Sequence, residues 1–132
     1  METQMKLFPV LITTPIFLFY LMACTDKASE SMAKSESKNF AEAIMLARNN
    51  GCLKCHQLKA PLVGPPWHAV ADRYRGAEDA RNFLIEKVKR GGSGNWDATT
   101  GGAQMPANSP RVSDAHIAAI VDFILSLKHG DS

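Results

Sequence analysis

Apolar residues recur at helical spacing in several stretches of the chain, and the segments between them are rich in glycine, proline and polar residues. We expect three main helices, over about residues 38–50, 78–90 and 114–128, and a shorter helix over 67–73. The predicted buried stripes are Phe40, Ile44 and Ala47, then Phe83, Leu84 and Val88, then Ile117, Ile120, Val121, Ile124 and Leu125. The pattern therefore predicts a small all-α fold.

The segments that separate these helices carry clear stop and start signals. Gly51 ends the first helix, and the glycines of residues 91–94 end the helix that precedes them. Three prolines and a glycine make residues 60–66 a loop, and residues 95–111 form a long irregular segment. Ser113 is the predicted N-cap of the last helix.

The first 23 residues have a different character. Lys6 is followed by an almost wholly apolar run from Leu7 to Ala23, a pattern typical of a secretory signal peptide. A membrane-spanning helix is the alternative, which Pro9 and Pro15 disfavour. We expect an exported protein whose signal peptide is residues 1–23.

Residues 24–37 contain mostly Asp, Lys, Ser, Glu and Ala. Such a segment has too few large apolar side chains to form a core, which predicts a flexible, solvated tether. The folded domain is then expected over residues 38–132.

Cys24 stands at the end of the apolar run. Leu21, Met22, Ala23 and Cys24 together resemble a bacterial lipobox, in which the chain is cleaved before the cysteine and the cysteine carries a lipid. The resemblance implies a lipid anchor at the periplasmic side of a bacterial membrane. An ordinary signal peptide with an unpaired cysteine is the alternative.

Charge and length limit the possible functions. The net charge of +2 is small, and no basic run interleaved with aromatic residues occurs, which argues against a nucleic-acid partner. A chain of 132 residues without an internal repeat has room for one small domain beside its N-terminal segment.

Cys52, Leu53, Lys54, Cys55 and His56 form the motif that carries the chemistry. Two cysteines three positions apart, with a histidine directly after the second, are typical of covalent attachment of a c-type haem. Residues three apart on a helical turn lie on one face, about 5 to 6 Å from each other, so both thiols reach the same group. The alternatives are a redox dithiol, a zinc half-site and two cysteines that lie close together by chance, although zinc requires four ligands and no second cluster supplies them.

The order of these features is similar to that of the short bacterial class I cytochromes c, and the resemblance covers about residues 38–129. Pro65 follows His56 by nine positions, as in that class, where its carbonyl accepts a hydrogen bond from the histidine ligand. The resemblance implies a class I cytochrome c fold, with helices and loops around one covalently bound haem.

The same resemblance implies the remaining site residues. Met105 would be the second axial ligand of the iron, Asn108 would steady it, and Trp96 would contact a haem propionate. The segment from Asp97 to Gln104 is longer than in the shortest members of the class. The competing histidine ligands are His68, His116 and His129.

The implied function is electron transfer. Histidine and methionine ligands together leave no open position on the iron, which suits a carrier of single electrons between a donor and an acceptor protein. We expect one haem c, no small-molecule substrate and no enzymatic turnover. The alternatives are the electron-accepting haem subunit of a larger dehydrogenase and a haem protein that binds gases or acts on peroxide.

Overall fold

The protein is represented by a computed structural model, which describes the backbone of residues 23–128 and the side chains of residues 29–128. The predicted signal peptide up to residue 22, the Cys24 side chain and His129 lie outside the described residues. The chain divides into two compact units, Met1–Glu36 and Ser37–Ser132. In the first unit, the described side chains of residues 29–36 are all exposed.

The described part of the chain is helical, which confirms the predicted all-α class. Its elements are α1 (Ala23–Asn49), a 3₁₀ helix (Cys52–Lys54), α2 (Trp67–Tyr74), α3 (Ala80–Arg90), α4 (Asp97–Thr100) and α5 (Asp114–Ser126). Over residues 23–128 the only β-type pairing is one isolated bridge between Gly92 and Met105. None of the helices between residues 23 and 128 has the length and apolar composition that a membrane span requires.

The beginning of α1 differs from the prediction. The helix begins at Ala23, not near Lys38, so the backbone predicted to be a flexible tether is helical. No glycine or proline interrupts residues 23–49, and Ala, Lys and Glu are good helix formers. Side chains 29–42 are exposed, so local propensity holds this part of the helix, aided by an ion pair of 3.8 Å between Lys38 and Glu42.

The other boundaries lie close to the predicted ones, with two differences. The short helix α4 lies inside the segment predicted to be irregular, and α5 ends at Ser126, before the predicted end at Lys128. Ser113 caps α5 as predicted, because its hydroxyl accepts a hydrogen bond from the backbone N–H of His116 at 3.3 Å.

The core forms around α5, which packs against α2 and α3. Ile117 and Val121 of α5 are fully buried, and Ala47 of α1 is buried with them. Two residues of the predicted stripes are exposed instead, Phe40 to 43% and Phe83 to 47%. Phe40 stands at the edge of the core, where its ring packs against that of Phe123 with a centroid distance of 5.3 Å.

Candidate cofactor site

The cysteine motif lies in the tight turn that follows α1. The N–H groups of Cys55 and His56 donate to the carbonyl of Cys52 at 3.2 and 3.0 Å, and residues 52–54 form a 3₁₀ helix. Side chains at i and i+3 of a 3₁₀ helix point in the same direction, so both thiols face one cavity. Both cysteines are free.

Burial raises the pKa of the Cys52 thiol, and the nearby positive charge of Arg111 acts in the opposite direction. Burial has the larger effect, so the pKa of this thiol lies above its ordinary value of 9.0.

His56 is held in a single orientation. Its Nδ1 donates to the carbonyl oxygen of Pro65 at 2.9 Å. A carbonyl oxygen can only accept, so the proton of the neutral ring is on Nδ1 and the lone pair of Nε2 remains available. The indole of Trp67 stacks on this ring with a centroid distance of 6.1 Å and an interplanar angle of 27°.

Gly64 allows the close approach of the loop to His56. Its N–H donates to the carbonyl of Cys55 at 2.7 Å, which pulls the loop onto the histidine. A Cβ atom at this position would lie 2.5 Å from Cε1 of His56. No side chain larger than a hydrogen fits there without moving the ring.

Met105 lies in the segment across the cavity, paired with the glycine turn that follows α3. The N–H of Gly92 donates to the carbonyl of Met105 at 2.7 Å, and the N–H of Met105 donates back at 3.3 Å. The Lys87 ammonium donates to the carbonyls of Gly91 and Gly92 at 2.9 and 2.8 Å. The glycine turn thereby fixes the backbone from which the Met105 side chain projects.

Asn108 is the one buried polar residue among the described residues, with 5% of its surface exposed. Its side-chain amide donates to the carbonyls of Val88 and Pro106 at 3.2 and 3.0 Å. Asn108 thus ties the segment that carries Met105 to the end of α3. The two hydrogen bonds that it donates go to backbone carbonyls, and its side-chain oxygen accepts a hydrogen bond from Arg111.

Trp96 is half-buried at the other end of the segment. The Arg73 guanidinium lies over its ring, 4.8 Å from the centroid, and donates to the carbonyl of Asn95 at 2.6 Å. The helix α4 follows Trp96 directly, and the Thr100 hydroxyl donates to the carbonyl of Trp96 at 3.0 Å.

The seven residues predicted for the site come together in one place. They line a single cavity of ≈ 290 Å³, whose remaining wall is largely apolar. The predicted residues in its wall are Cys52, Cys55, His56, Pro65, Trp96, Met105 and Asn108. The competing histidines His68 and His116 are not part of the wall.

This combination fits a c-type haem. Two thiols on one side can form thioether bonds, an imidazole with a free Nε2 and a soft thioether can bind iron, and the apolar wall suits the porphyrin. Among the described residues, no three His, Cys, Asp or Glu side chains gather as a metal site of their own.

Sequence reasoning missed three residues that shape the site. In the sequence, Arg73, Lys87 and Arg111 all have the character of ordinary solvated surface charges. Lys87 stands in the basic last turn of α3, where lysine side chains often bind the free carbonyls of a helix end. The position of Lys87 near the end of α3 was the only feature of the sequence that indicated its role at the glycine turn.

The fold and the site define a small c-type cytochrome, and the comparisons with known proteins agree. The sequence model of the family "Cytochrome c" matches residues 40–128, and the chain belongs to this family. It is a small monohaem cytochrome c of class I, with one covalently attached haem c, and it functions in electron transfer.

Two curated relatives illustrate the similarity. Cytochrome c-552 of Hydrogenobacter thermophilus is 43% identical over 83 residues, which are 63% of this chain and 79% of that protein. Cytochrome c-551 of Allochromatium vinosum is 43% identical over 84 residues, which are 64% of this chain and 84% of that protein.

Solved structures give the same result. The crystal structure of wild-type cytochrome c552 from Nitrosomonas europaea is similar with a TM-score of 0.58 at 41% identity. The match covers 64% of this chain and 99% of that one. A class 1 cytochrome, MtoD from Sideroxydans lithotrophicus, is similar with a TM-score of 0.53 at 33% identity, over 64% of this chain and 90% of that one.

Proposed function

We propose that this cytochrome carries single electrons between exported redox proteins, with His56 and Met105 as the axial ligands of its haem iron. Cys52 and Cys55 hold the porphyrin through thioether bonds. The observation that carries the proposal is the single cavity that all four side chains line, together with the contact of His56 Nδ1 with the Pro65 carbonyl, which leaves Nε2 as the ring nitrogen for the metal.

The hydrogen bond from His56 to Pro65 has a chemical role in this arrangement. A ligating histidine whose other ring nitrogen donates to a carbonyl is held in one tautomer and becomes a stronger donor to the metal. The Trp67 ring restricts the imidazole on its face. His56 is therefore oriented before the iron is bound.

Met105 supplies the opposite ligand. A thioether favours the reduced iron and raises the reduction potential, and it leaves no open position for oxygen or peroxide. The haem supplies the one-electron couple when it is bound. His56 and Met105 would both stay bound in the two oxidation states, which would keep the reorganisation that accompanies electron transfer small.

Pro65, Trp96 and Asn108 support the ligands in this proposal. Pro65 orients His56 through its carbonyl, and Asn108 holds the Met105 segment against α3. Trp96 lines the cavity beneath Arg73, a position from which its indole N–H is proposed to contact a haem propionate.

Replacing Met105 tests the ligand assignment. We expect Met105→Ala to lower the reduction potential and to let CO bind the ferrous protein, and the near-infrared band of the ferric methionine–iron bond should disappear. Met45→Ala is the matched control, because Met45 is 60% exposed on α1 and is not part of the cavity wall. An unchanged potential together with continued exclusion of CO would show that Met105 is not the ligand.

The two alternative functions make different predictions in the same experiments. A gas-binding or peroxidatic protein would lack the near-infrared band in its working state. A dedicated dehydrogenase subunit would co-purify with its enzyme from solubilised membranes. The relatives, which are named cytochrome c-552 and cytochrome c-551, do not favour either alternative.

We also propose that the mature protein begins at a lipid-bearing Cys24 on the periplasmic side of a bacterial membrane. The support is the lipobox-like run that ends in Ala23 and Cys24. Mass spectrometry of the mature protein should report cleavage before Cys24, the lipid and one haem. Cys24→Ser should lose the lipid and keep the haem, whereas a parent protein that retains residues 1–23 or has no lipid would contradict the anchor.

A further inference from the structure

Arg111 connects two segments that lie far apart in the sequence. Its Nη1 donates to the carbonyl of Asn50 at 3.0 Å, and its Nη2 donates to the side-chain oxygen of Asn108. Asn50 directly follows α1 in the turn that leads into the cysteine motif, and Asn108 follows Met105 by three positions. One guanidinium therefore bonds both to the segment that carries the cysteines and to the segment that carries the methionine.

The bond to Asn108 determines how that side chain is oriented. A carboxamide has one oxygen that only accepts and one nitrogen that only donates. The nitrogen of Asn108 faces the carbonyls of Val88 and Pro106, and its oxygen faces Arg111. A flipped amide would place its oxygen against two carbonyls and its nitrogen against a guanidinium, so Arg111 excludes that orientation.

The backbone around both ends of this link is well anchored. The N–H of Val112 donates to the carbonyl of Asn108 at 2.8 Å, and Val112 is buried in the core. The side chain of Asn50 donates to the carbonyl of Leu46 at 2.8 Å. Arg111 thus connects two fixed points, and a planar guanidinium with several donors suits such a double contact.

We propose that Arg111 is a positioning residue that holds the Met105 segment against the cysteine segment and thereby determines how firmly Met105 stays on the iron. The inference rests on the proposed ligation by Met105. Arg111 acts through Asn108: without it, the buried oxygen of Asn108 loses its donor and the amide no longer favours one orientation. The Met105 segment then detaches more easily.

Binding of imidazole to the ferric protein measures this effect, because imidazole competes with Met105 for the iron. We expect Arg111→Leu to bind imidazole roughly tenfold more tightly than the parent, since a hydrogen bond to a buried group is lost. Arg111→Lys keeps the charge but has a single ammonium for two acceptors, and its affinity should lie between the two. This second variant serves if Arg111→Leu folds poorly.

Arg81→Leu is the matched control. Arg81 donates to Asp122 at 2.6 and 3.0 Å and so links α3 to α5, but neither residue is part of the cavity wall. The substitution Arg81→Leu removes an arginine bridge elsewhere on the same domain, and the imidazole affinity of this variant should equal that of the parent. Equal affinities of Arg81→Leu and Arg111→Leu would overturn the proposal.

A double-mutant cycle tests the route through Asn108. Arg111→Leu should change imidazole affinity much less in an Asn108→Ala background, because the acceptor is already absent. Fully additive effects would overturn the proposed route. The near-infrared band of the parent protein distinguishes a failure of the ligand assignment from a failure of the Arg111 proposal. Its absence contradicts ligation by Met105. Its presence, together with unchanged imidazole affinity in Arg111→Leu, overturns only the role of Arg111.

Discussion

The two sides of the cavity are held in different ways. The histidine side, residues 52–67, is closed by contacts among its own residues: Cys55 accepts from Gly64 and His56 donates to Pro65. The methionine side, residues 91–108, has its own pairing between Gly92 and Met105, but it is also tied to Lys87, Val88 and Arg111, which lie outside it. The histidine side is a local structure, whereas the methionine side depends on the assembled fold.

This difference has a consequence for the ligands. A local loop orients His56 as soon as the loop forms, because loop closure over nine residues requires little ordering of the rest of the chain. We expect Met105 to reach its position only after α3, the glycine turn and the start of α5 are packed, because its segment is bonded to Lys87, Val88 and Arg111. We therefore expect the methionine side to open before the histidine side in every partial unfolding of the domain.

The largest effect should follow from Gly91→Ala on the methionine side. Gly91 has φ 70° and ψ −145°, and a Cβ there would overlap the backbone of Met105 and Ala107. Backbone atoms cannot turn aside as a side chain can, so we expect a loss of about 3 kcal/mol in the free energy of unfolding. Chemical denaturation measures it, and the near-infrared methionine band should weaken in parallel.

Gly92→Ala distinguishes the cost of the Cβ overlap at residue 91 from the cost of placing an alanine at a positive φ. Gly92 also has a positive φ, 86°, but a Cβ there would meet only the Lys87 ammonium nitrogen at 3.8 Å. This variant should lose about 1 to 2 kcal/mol, the cost of the left-handed conformation. Equal losses in the two variants would show that the close approach to Met105 is unimportant.

Gly64→Ala applies the same change to the histidine side. The new Cβ would lie 2.5 Å from Cε1 and 2.8 Å from Nδ1 of His56, so the ring must shift and the bond to Pro65 must lengthen. We expect a loss of about 1 to 3 kcal/mol, as for other overpacked sites. Thermal unfolding and the NMR signal of the His56 ring N–H measure the two effects.

Gly94→Ala is the control, since its Cβ would meet Trp96 at an ordinary 3.6 Å. Because the histidine side is closed by contacts among its own residues, we expect Gly64→Ala to disturb the His56 signal and to leave the methionine band intact at room temperature. Loss of the methionine band without a change at His56 would refute the independence of the two sides.

The smallest effect concerns the link from α3 to the start of α5. The hydrogen bond from Lys89 to Asp114 at 3.0 Å and the negative charge of that carboxylate raise the pKa of the Lys89 amine above its ordinary value of 10.5. Because the pKa is raised in the folded protein, the stabilisation is complete below pH 10.5 and is lost as the pH rises through the higher folded-state pKa.

Unfolding of the parent and of Lys89→Met, followed from neutral pH upwards, tests this pH dependence. The parent should be slightly more stable at neutral pH, because the pair is exposed and screened, and the difference should vanish at strongly alkaline pH. Arg90→Met is the control for the loss of one positive charge from the same turn. A difference that stays constant through the alkaline range would exclude the ion pair as its source.

Much of the site could be predicted from the sequence because its strongest signals are short. Cys52, Cys55 and His56 occupy one turn, whereas the role of Pro65 was predicted through the resemblance to class I cytochromes c. Met105 and Asn108 were predicted only through the resemblance to class I cytochromes c. The structure brings all of these residues to one cavity, together with Trp96.

The sequence by itself determined the all-α class, the approximate positions of α2, α3 and α5, and the chemistry of the cysteine motif, because these depend on the spacing of neighbouring residues. It did not determine where α1 begins, since an exposed helix lacks an apolar stripe. The roles of Lys87, Arg73 and Arg111 were decided only by the tertiary structure. A charged side chain can reach many partners along a flexible stem, and packing alone selects which carbonyl or ring it finds.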